Sequence, residues 1–216
     1  EERRRDFVLA PSPELVRKHW PWHKKLTLLG SAGKEDLRRE YTPNFVTFTT
    51  GRSSEPVAFA YTPHDLEALL KVGGRMLDVH ALHDPQARIV NVFPFAPHLA
   101  FWQATFAGFE TGRFVLSTGG GKVMGTSGNI RLVDRMQPAV LIGTPGFLYH
   151  LLRQAQDEGK RFTKVERVIL GAEKVPSGLK KKIAETLAEM GSTQAVVTFS
   201  LKATRWVPTP NHWPRC

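Results

Sequence analysis

From about residue 88 onward, short apolar runs alternate with segments of helical periodicity, and this alternation restricts the fold more than any other feature of the chain. The apolar runs are 88–93, 114–117, 139–142, 168–170 and 195–199. Between the third and fourth, Phe147, Leu148, Leu151, Leu152 and Ala155 recur at the spacing of one helix face, with Thr144 placed to cap the helix and Pro145 in its first turn. Between the fourth and fifth, Leu179, Ile183, Leu187 and Met190 mark a second face after Pro176-Ser177. A strand, a helix and a further strand in the same sheet connect by a right-handed crossover. The expected fold class is therefore α/β, a mainly parallel sheet flanked by helices. Such sheets bind ligands in the crevice beyond the carboxyl ends of their strands. Here those ends carry Pro94-Phe95-Ala96-Pro97-His98, Thr118-Gly119-Gly120-Gly121-Lys122, Gly143-Thr144 and Gly171-Ala172-Glu173.

Upstream of this rhythm the pattern differs. Residues 45–51 and 57–61 are β-prone. Thr62 is placed to cap a helix that has Pro63 at its first position, Asp65 in its first turn, and Leu66, Leu69 and Leu70 on an apolar face. Residues 1–40 read as a helical and irregular segment broken by Pro11, Pro13 and Pro21, with Trp20, Trp22 and His23 expected to pack on a neighbouring element. This divides the chain into 1–40 and 41–216.

Composition narrows the function classes. A hydrophobic fraction of 41% and a charged fraction of 23% are those of an ordinary globular domain. The one cysteine, Cys216, rules out an internal disulfide framework or a multi-cysteine zinc site, and fits a reducing, cytoplasmic setting. No run of about 18 apolar residues predicts a membrane span. The net charge of +10 raises nucleic acid as a partner, but the basic residues are scattered and do not interleave with aromatics. A solvated basic surface that tolerates an anionic substrate is the favoured reading.

Three stretches have residue types suited to chemistry. Thr47-Phe48-Thr49-Thr50-Gly51-Arg52-Ser53-Ser54-Glu55-Pro56 combines hydroxyls, a glycine and a cation, the donors that a polyphosphate requires. By itself it can equally be only a turn. Gly119, Gly120 and Gly121 let the backbone approach a ligand or a neighbouring helix, but the run is neither a Walker A loop nor a dinucleotide fingerprint. Gly171 and Ala172, with Glu173, leave room for a flat ring at a strand end. His98 is a candidate pocket residue, or else a helix-start or packing residue. His80, His83 and Asp84 have metal-like spacing but no further ligand nearby, so no metal site is assigned.

Taken in order, these stretches resemble the adenylate-forming enzymes, in the form used by the phenylacetate–coenzyme A ligase branch. The resemblance covers roughly residues 30–206. The segment 47–56 resembles the phosphate loop, and Ala60-Tyr61-Thr62-Pro63-His64-Asp65-Leu66 the strand and helix start that follow it. Phe93-Pro94-Phe95-Ala96-Pro97-His98 is similar to the aromatic–proline segment lining the acyl pocket. Gly143-Thr144-Pro145-Gly146-Phe147-Leu148 is similar to a family helix start, and Gly171-Ala172-Glu173 to the adenine-contacting turn. The resemblance implies ATP or AMP held by Thr47, Thr49, Thr50, Gly51, Arg52, Gly171, Ala172 and Glu173. It implies an acid near Phe95, His98, Gly119, Gly120 and Gly121, with Mg²⁺ and coenzyme A as further requirements. It also implies that the chain is part of a large N-terminal domain whose C-terminal partner domain, with the catalytic lysine, is missing.

The sequence departs from the family pattern at several positions. Phe48 stands where the phosphate loop usually has glycine, and Ser53 where proline is common. The family motif Tyr-Gly-x-Thr-Glu is replaced by Phe199-Ser200-Leu201-Lys202-Ala203. Lys202 replaces a phosphate-contacting threonine and Ala203 a glutamate that helps hold Mg²⁺. The alternative expectation is thus a catalytically inactive acyl- or nucleotide-binding homologue.

Overall fold

The computed structural model describes residues 21–27, 30, 35, 39, 42–49, 56–80, 82 and 84–199. A short helix α1 (Trp22–Thr27) precedes an antiparallel hairpin of β1 (Phe45–Phe48) and β2 (Ala58–Tyr61), in which Phe45 faces Tyr61 and Thr47 faces Phe59. There follow α2 (Pro63–Val79), β3 (Ile89–Asn91), α3 (Leu99–Glu110), β4 (Val115–Ser117), α4 (Gly121–Met136), β5 (Val140–Gly143), α5 (Pro145–Asp157), β6 (Arg167–Leu170), α6 (Ser177–Glu189) and β7 (Val196–Phe199).

The last five strands form one parallel sheet in the order β4-β3-β5-β6-β7. The order reverses between β3 and β5, because the chain steps outward from β3 to β4 and then returns past it. At such a switch point the connections leave in opposite directions and open a crevice at the carboxyl edge.

Both faces of the central strands β3, β5 and β6 are buried, which explains why these strands read as mostly apolar runs. Val90, Val92, Leu141, Val168 and Leu170 face α4, α5 and α6, where they meet Ile130, Leu148, Leu152, Ile183 and Leu187. The alternate residues Ile89, Phe93, Val140, Ile142 and Ile169 face the other way, onto Leu77, Phe101, Ala104 and Ala107 of the α2–α3 pair. Asn91 breaks the apolar run of β3 and is fully buried. Its amide donates to the Phe101 carbonyl (3.1 Å) and to Ser117 Oγ (3.1 Å), and its oxygen accepts from the Phe93 N–H (3.0 Å). Leaving such a group unpaired would cost about 1–3 kcal/mol.

The helix starts carry the expected signals in part. Thr62 and Asp65 form a reciprocal capping box on α2, worth about 1 kcal/mol. Thr144 occupies the N-cap of α5 with Pro145 after it, but its side chain makes no capping bond. Gly121 begins α4, and Gly125 (φ 66°) kinks it one turn later. The expectation that Trp22 packs on a neighbour is not met. Its side chain is exposed, and its one ring neighbour among the described residues is His23, edge-on at 6.0 Å; Trp20 lies outside the described residues. No helix among the described residues is long and apolar enough to cross a membrane.

Candidate functional site

A cavity of about 450 Å³ opens at the switch point, within the size range of small-molecule sites. One wall is the β1–β2 hairpin, which supplies Thr47, Phe48, Thr49, Phe59 and Tyr61. The opposite wall is the end of β6 with the turn after it, through Ile169, Leu170, Gly171 and Ala172. Between them stand Phe93 and Pro94 after β3, Ile142 and Thr144 around the end of β5, His98 and the first turns of α3, and Met76 of α2.

The hairpin is fastened over the sheet by aromatic packing and by two polar contacts. Phe45 sits against Tyr61, Trp102 and Phe106 with centroids 5.4–6.0 Å apart, each such pair adding about 0.5–1.5 kcal/mol beyond area burial. The Phe48 N–H donates to the Pro97 carbonyl (2.5 Å), and the Phe48 carbonyl lies 3.0 Å from His98 Nδ1. A carbonyl only accepts, so Nδ1 carries the hydrogen, and in the neutral ring Nε2 is left as an acceptor. Inside the hairpin Thr47 is nearly inaccessible, its hydroxyl 3.2 Å from that of Tyr61. Thr49 Oγ1 accepts from the Val57 N–H at 3.0 Å.

Gly171 and Ala172 shape the opposite wall. The Gly171 N–H donates to the Gly143 carbonyl (3.1 Å), continuing the β5–β6 ladder past its end. A Cβ on Gly171 would lie 3.2 Å from the Phe93 ring, so the missing side chain keeps that ring in place. Ala172 has φ 66°, the left-handed region that non-glycine residues seldom adopt; the turn thereby exposes its backbone at the cavity mouth.

The structure thus brings Thr47, Thr49, His98, Gly171 and Ala172 together on one cavity. Glu173 is exposed off the lining; its carboxylate lies near Gly146 in the first turn of α5, where the helix dipole favours negative charge. Phe95 is 60% exposed, with Phe101 and Trp102 edge-on to it at 5.2 and 6.2 Å. Gly119, Gly120 and Gly121 are also off the lining, and their bare backbones admit close packing. A Cβ on Gly120 (φ 74°) would lie 3.0 Å from Pro94 Cα and the Val92 carbonyl, and one on Gly121 would lie 2.7 Å from the Phe147 ring. Asn129 ties this turn down by donating to the Gly120 and Gly125 carbonyls and accepting from the Thr118 hydroxyl. Thr50, Gly51, Arg52, Ser53, His83, Lys202 and Ala203 lie outside the described residues.

Tyr61, Met76, Gln103, Ala104 and Ile169 line the cavity without having been singled out from sequence as site residues. For Gln103 and Ala104 the signal is helical spacing after His98: positions 99, 100, 103 and 104 share a face once α3 is known to start at Leu99; Tyr61, Met76 and Ile169 lie on β2, α2 and β6 and carry no such signal. Among the described lining residues there is no lysine, arginine or carboxylate. Among the described residues there is also no group of three His, Cys, Asp or Glu placed to hold a metal. These residues therefore do not provide a Mg²⁺ site.

No family model matches the chain, and no curated protein matches it. Solved structures do. A 2-hydroxyisobutyryl-CoA ligase in complex with 2-HIB-AMP aligns with a TM-score of 0.63 at 22% identity, over 73% of this chain and 32% of the ligase. An open conformation of the same ligase, with 2-HIB-AMP and CoA, aligns over 90% of this chain and 43% of that one, at 0.62 and 20%. A long-chain-fatty-acid-CoA ligase from Archaeoglobus fulgidus aligns at 0.59 and 16%, over 74% and 31%. The fold, a mainly parallel sheet flanked by helices, is shared with part of these CoA ligases. The chain spans about a third of the first ligase's length.

Proposed function

We propose that this chain is part of the nucleotide- and acid-binding domain of an enzyme that activates a carboxylic acid, and that it belongs to the phenylacetate–coenzyme A ligase-like branch. In that reaction a carboxylate oxygen attacks the α-phosphorus of ATP. The bond to the bridging oxygen breaks, pyrophosphate leaves, and an acyl-adenylate remains to pass its acyl group to the thiol of coenzyme A. The observation that supports the reading is the convergence of three segments distant in sequence on one switch-point cavity: the β1 hydroxyls, His98, and the Gly171-Ala172 backbone.

In this reading Thr47 and Thr49, with residues 50–52, donate to phosphate oxygens, and donors set in place before the reaction stabilise charge that develops in the transition state. The bare backbone at Gly171 and Ala172 borders the adenine. His98 is oriented by the Phe48 carbonyl and lines the cavity. Mg²⁺ would come with the nucleotide as its counter-ion, with no ligand from the described lining residues. A cytoplasmic setting belongs to the same reading.

Calorimetry on the chain is expected to show weak binding of AMP and ATP, with no pyrophosphate release from ATP across a panel of carboxylic acids. Absence of nucleotide binding, or brisk turnover by the chain alone, overturns the proposal. Lys202 and Ala203, which stand where the family pattern has threonine and glutamate, favour a second reading: an inactive homologue that keeps the pocket. That reading requires nucleotide binding to persist without Mg²⁺ and to be unchanged by Ala203→Glu.

A further inference from the structure

The cavity has an exposed mouth and a buried inner end. Phe48, Phe59, Pro94 and Ala172 are exposed, whereas Phe101, Ala104, Ile142 and Ile169 are almost wholly buried. The inner end lies between α2, α3 and the sheet face. Its depth follows from the elements that line it. The end of β5 contributes Ile142 and Thr144, and α3 contributes positions from Leu99 to Ala104. Two residues of extended chain and five of helix both correspond to about 7 Å.

The inner end is closed by the packing of α2 on α3. A Cβ on Gly73 would lie 3.0 Å from the Cα and N of Ala107, so the two helices meet backbone to backbone there. That contact is one turn beyond Ala104 and one turn before Met76. Helical side chains lean toward the N-terminus of their helix, so Met76, which lines the cavity, reaches back toward Ala104, and the next residue, Leu77, is fully buried. Apart from the His98 and Tyr61 rings, no ionisable side chain lies among the described lining residues. An acid carrying a second charge would bury it there without a partner, at a cost of several kcal/mol.

We propose that Ala104 and Met76 set the length of the acyl group this cavity accepts, and that the group is uncharged, apolar and at most about 7 Å long. The proposal rests on the cavity being the acid and nucleotide site described above. It is tested by calorimetry on the 216-residue chain with AMP and with non-hydrolysable acyl-sulfamoyl adenosines bearing acetyl, butyryl, hexanoyl, dodecanoyl and succinyl groups. The readout is the affinity of each analogue relative to AMP. Affinity is expected to rise about fourfold per methylene from acetyl to butyryl, the equivalent of ~0.8 kcal/mol. It falls back at dodecanoyl, and succinyl binds at least tenfold more weakly than butyryl.

Ala104→Leu should lower the relative affinity for hexanoyl more than for acetyl, and Met76→Ala should raise that for dodecanoyl. If Ala104→Leu fails to fold, Met76→Ala decides alone. A flat acyl series, succinyl binding as well as butyryl, or a length limit unmoved by these variants overturns this inference while nucleotide binding still stands. Failure of AMP and of every analogue to bind overturns the functional reading and this inference together.

Discussion

Ala172 occupies a backbone conformation that costs an L-residue about 1–2 kcal/mol, at the rim of the cavity. Glycine escapes that cost but loses more chain entropy on folding. Ala172→Gly is therefore expected to stabilise the protein by up to about 1 kcal/mol, read as a higher urea midpoint; an unchanged or lower midpoint contradicts the strain. His80 sits at the end of α2, and burial, followed by the nearby Arg167 guanidinium, holds its pKa below the usual 6.5. The unfolded chain then binds a proton more readily than the folded one. The stability contributed by the neutral ring is complete above 6.5 and is lost as pH falls through the folded-state value. Denaturation midpoints should drop between pH 7.5 and 5, and His80→Gln should flatten that drop. A variant with an equal pH slope would show that another group carries it.

Among the elements, α2 and α3 meet backbone to backbone at Gly73. Gly73→Ala places a methyl 3.0 Å from the Ala107 backbone, and separating the helices should cost about 1–3 kcal/mol, measured as a fall in the unfolding midpoint. Legibility also varied by element. The central strands β3, β5 and β6 could be read because both of their faces are buried, which makes their runs mostly apolar. The start of α2 could be read because Thr62 and Asp65 advertise a reciprocal cap. The period of α3 was hidden. It is apolar nearly all round, since one side meets the sheet and another meets the hairpin through Phe45, Trp102 and Phe106. The start of α4 was hidden for a different reason: a triple glycine followed by a further glycine at the kink carries no periodicity, and it is Asn129 that bonds across that kink.

Over the whole molecule, the sheet and its two helical layers form the stable body, and the hairpin is an addition held by Phe45, Phe48 and His98. Hydrogen exchange should therefore be faster at the amides of β1 and β2 than at those of β3, β5 and β6. AMP should slow exchange in the hairpin; equal protection throughout would mean that the hairpin unfolds only with the sheet. The candidate site was legible to the extent that strand ends mark it, which located Gly171, Ala172 and His98. Its apolar depth was not, because Met76, Ala104 and Ile169 are ordinary core residues until the fold sets them around a gap. The same geometry governs kinetics. One wall of the cavity lies far upstream of the other, so the pocket is complete only after contacts of long sequence separation have formed, late on the folding route. A ligand that needs both walls will lower the unfolding rate and leave the folding rate nearly unchanged, so its protection will show as a longer lifetime of the folded chain.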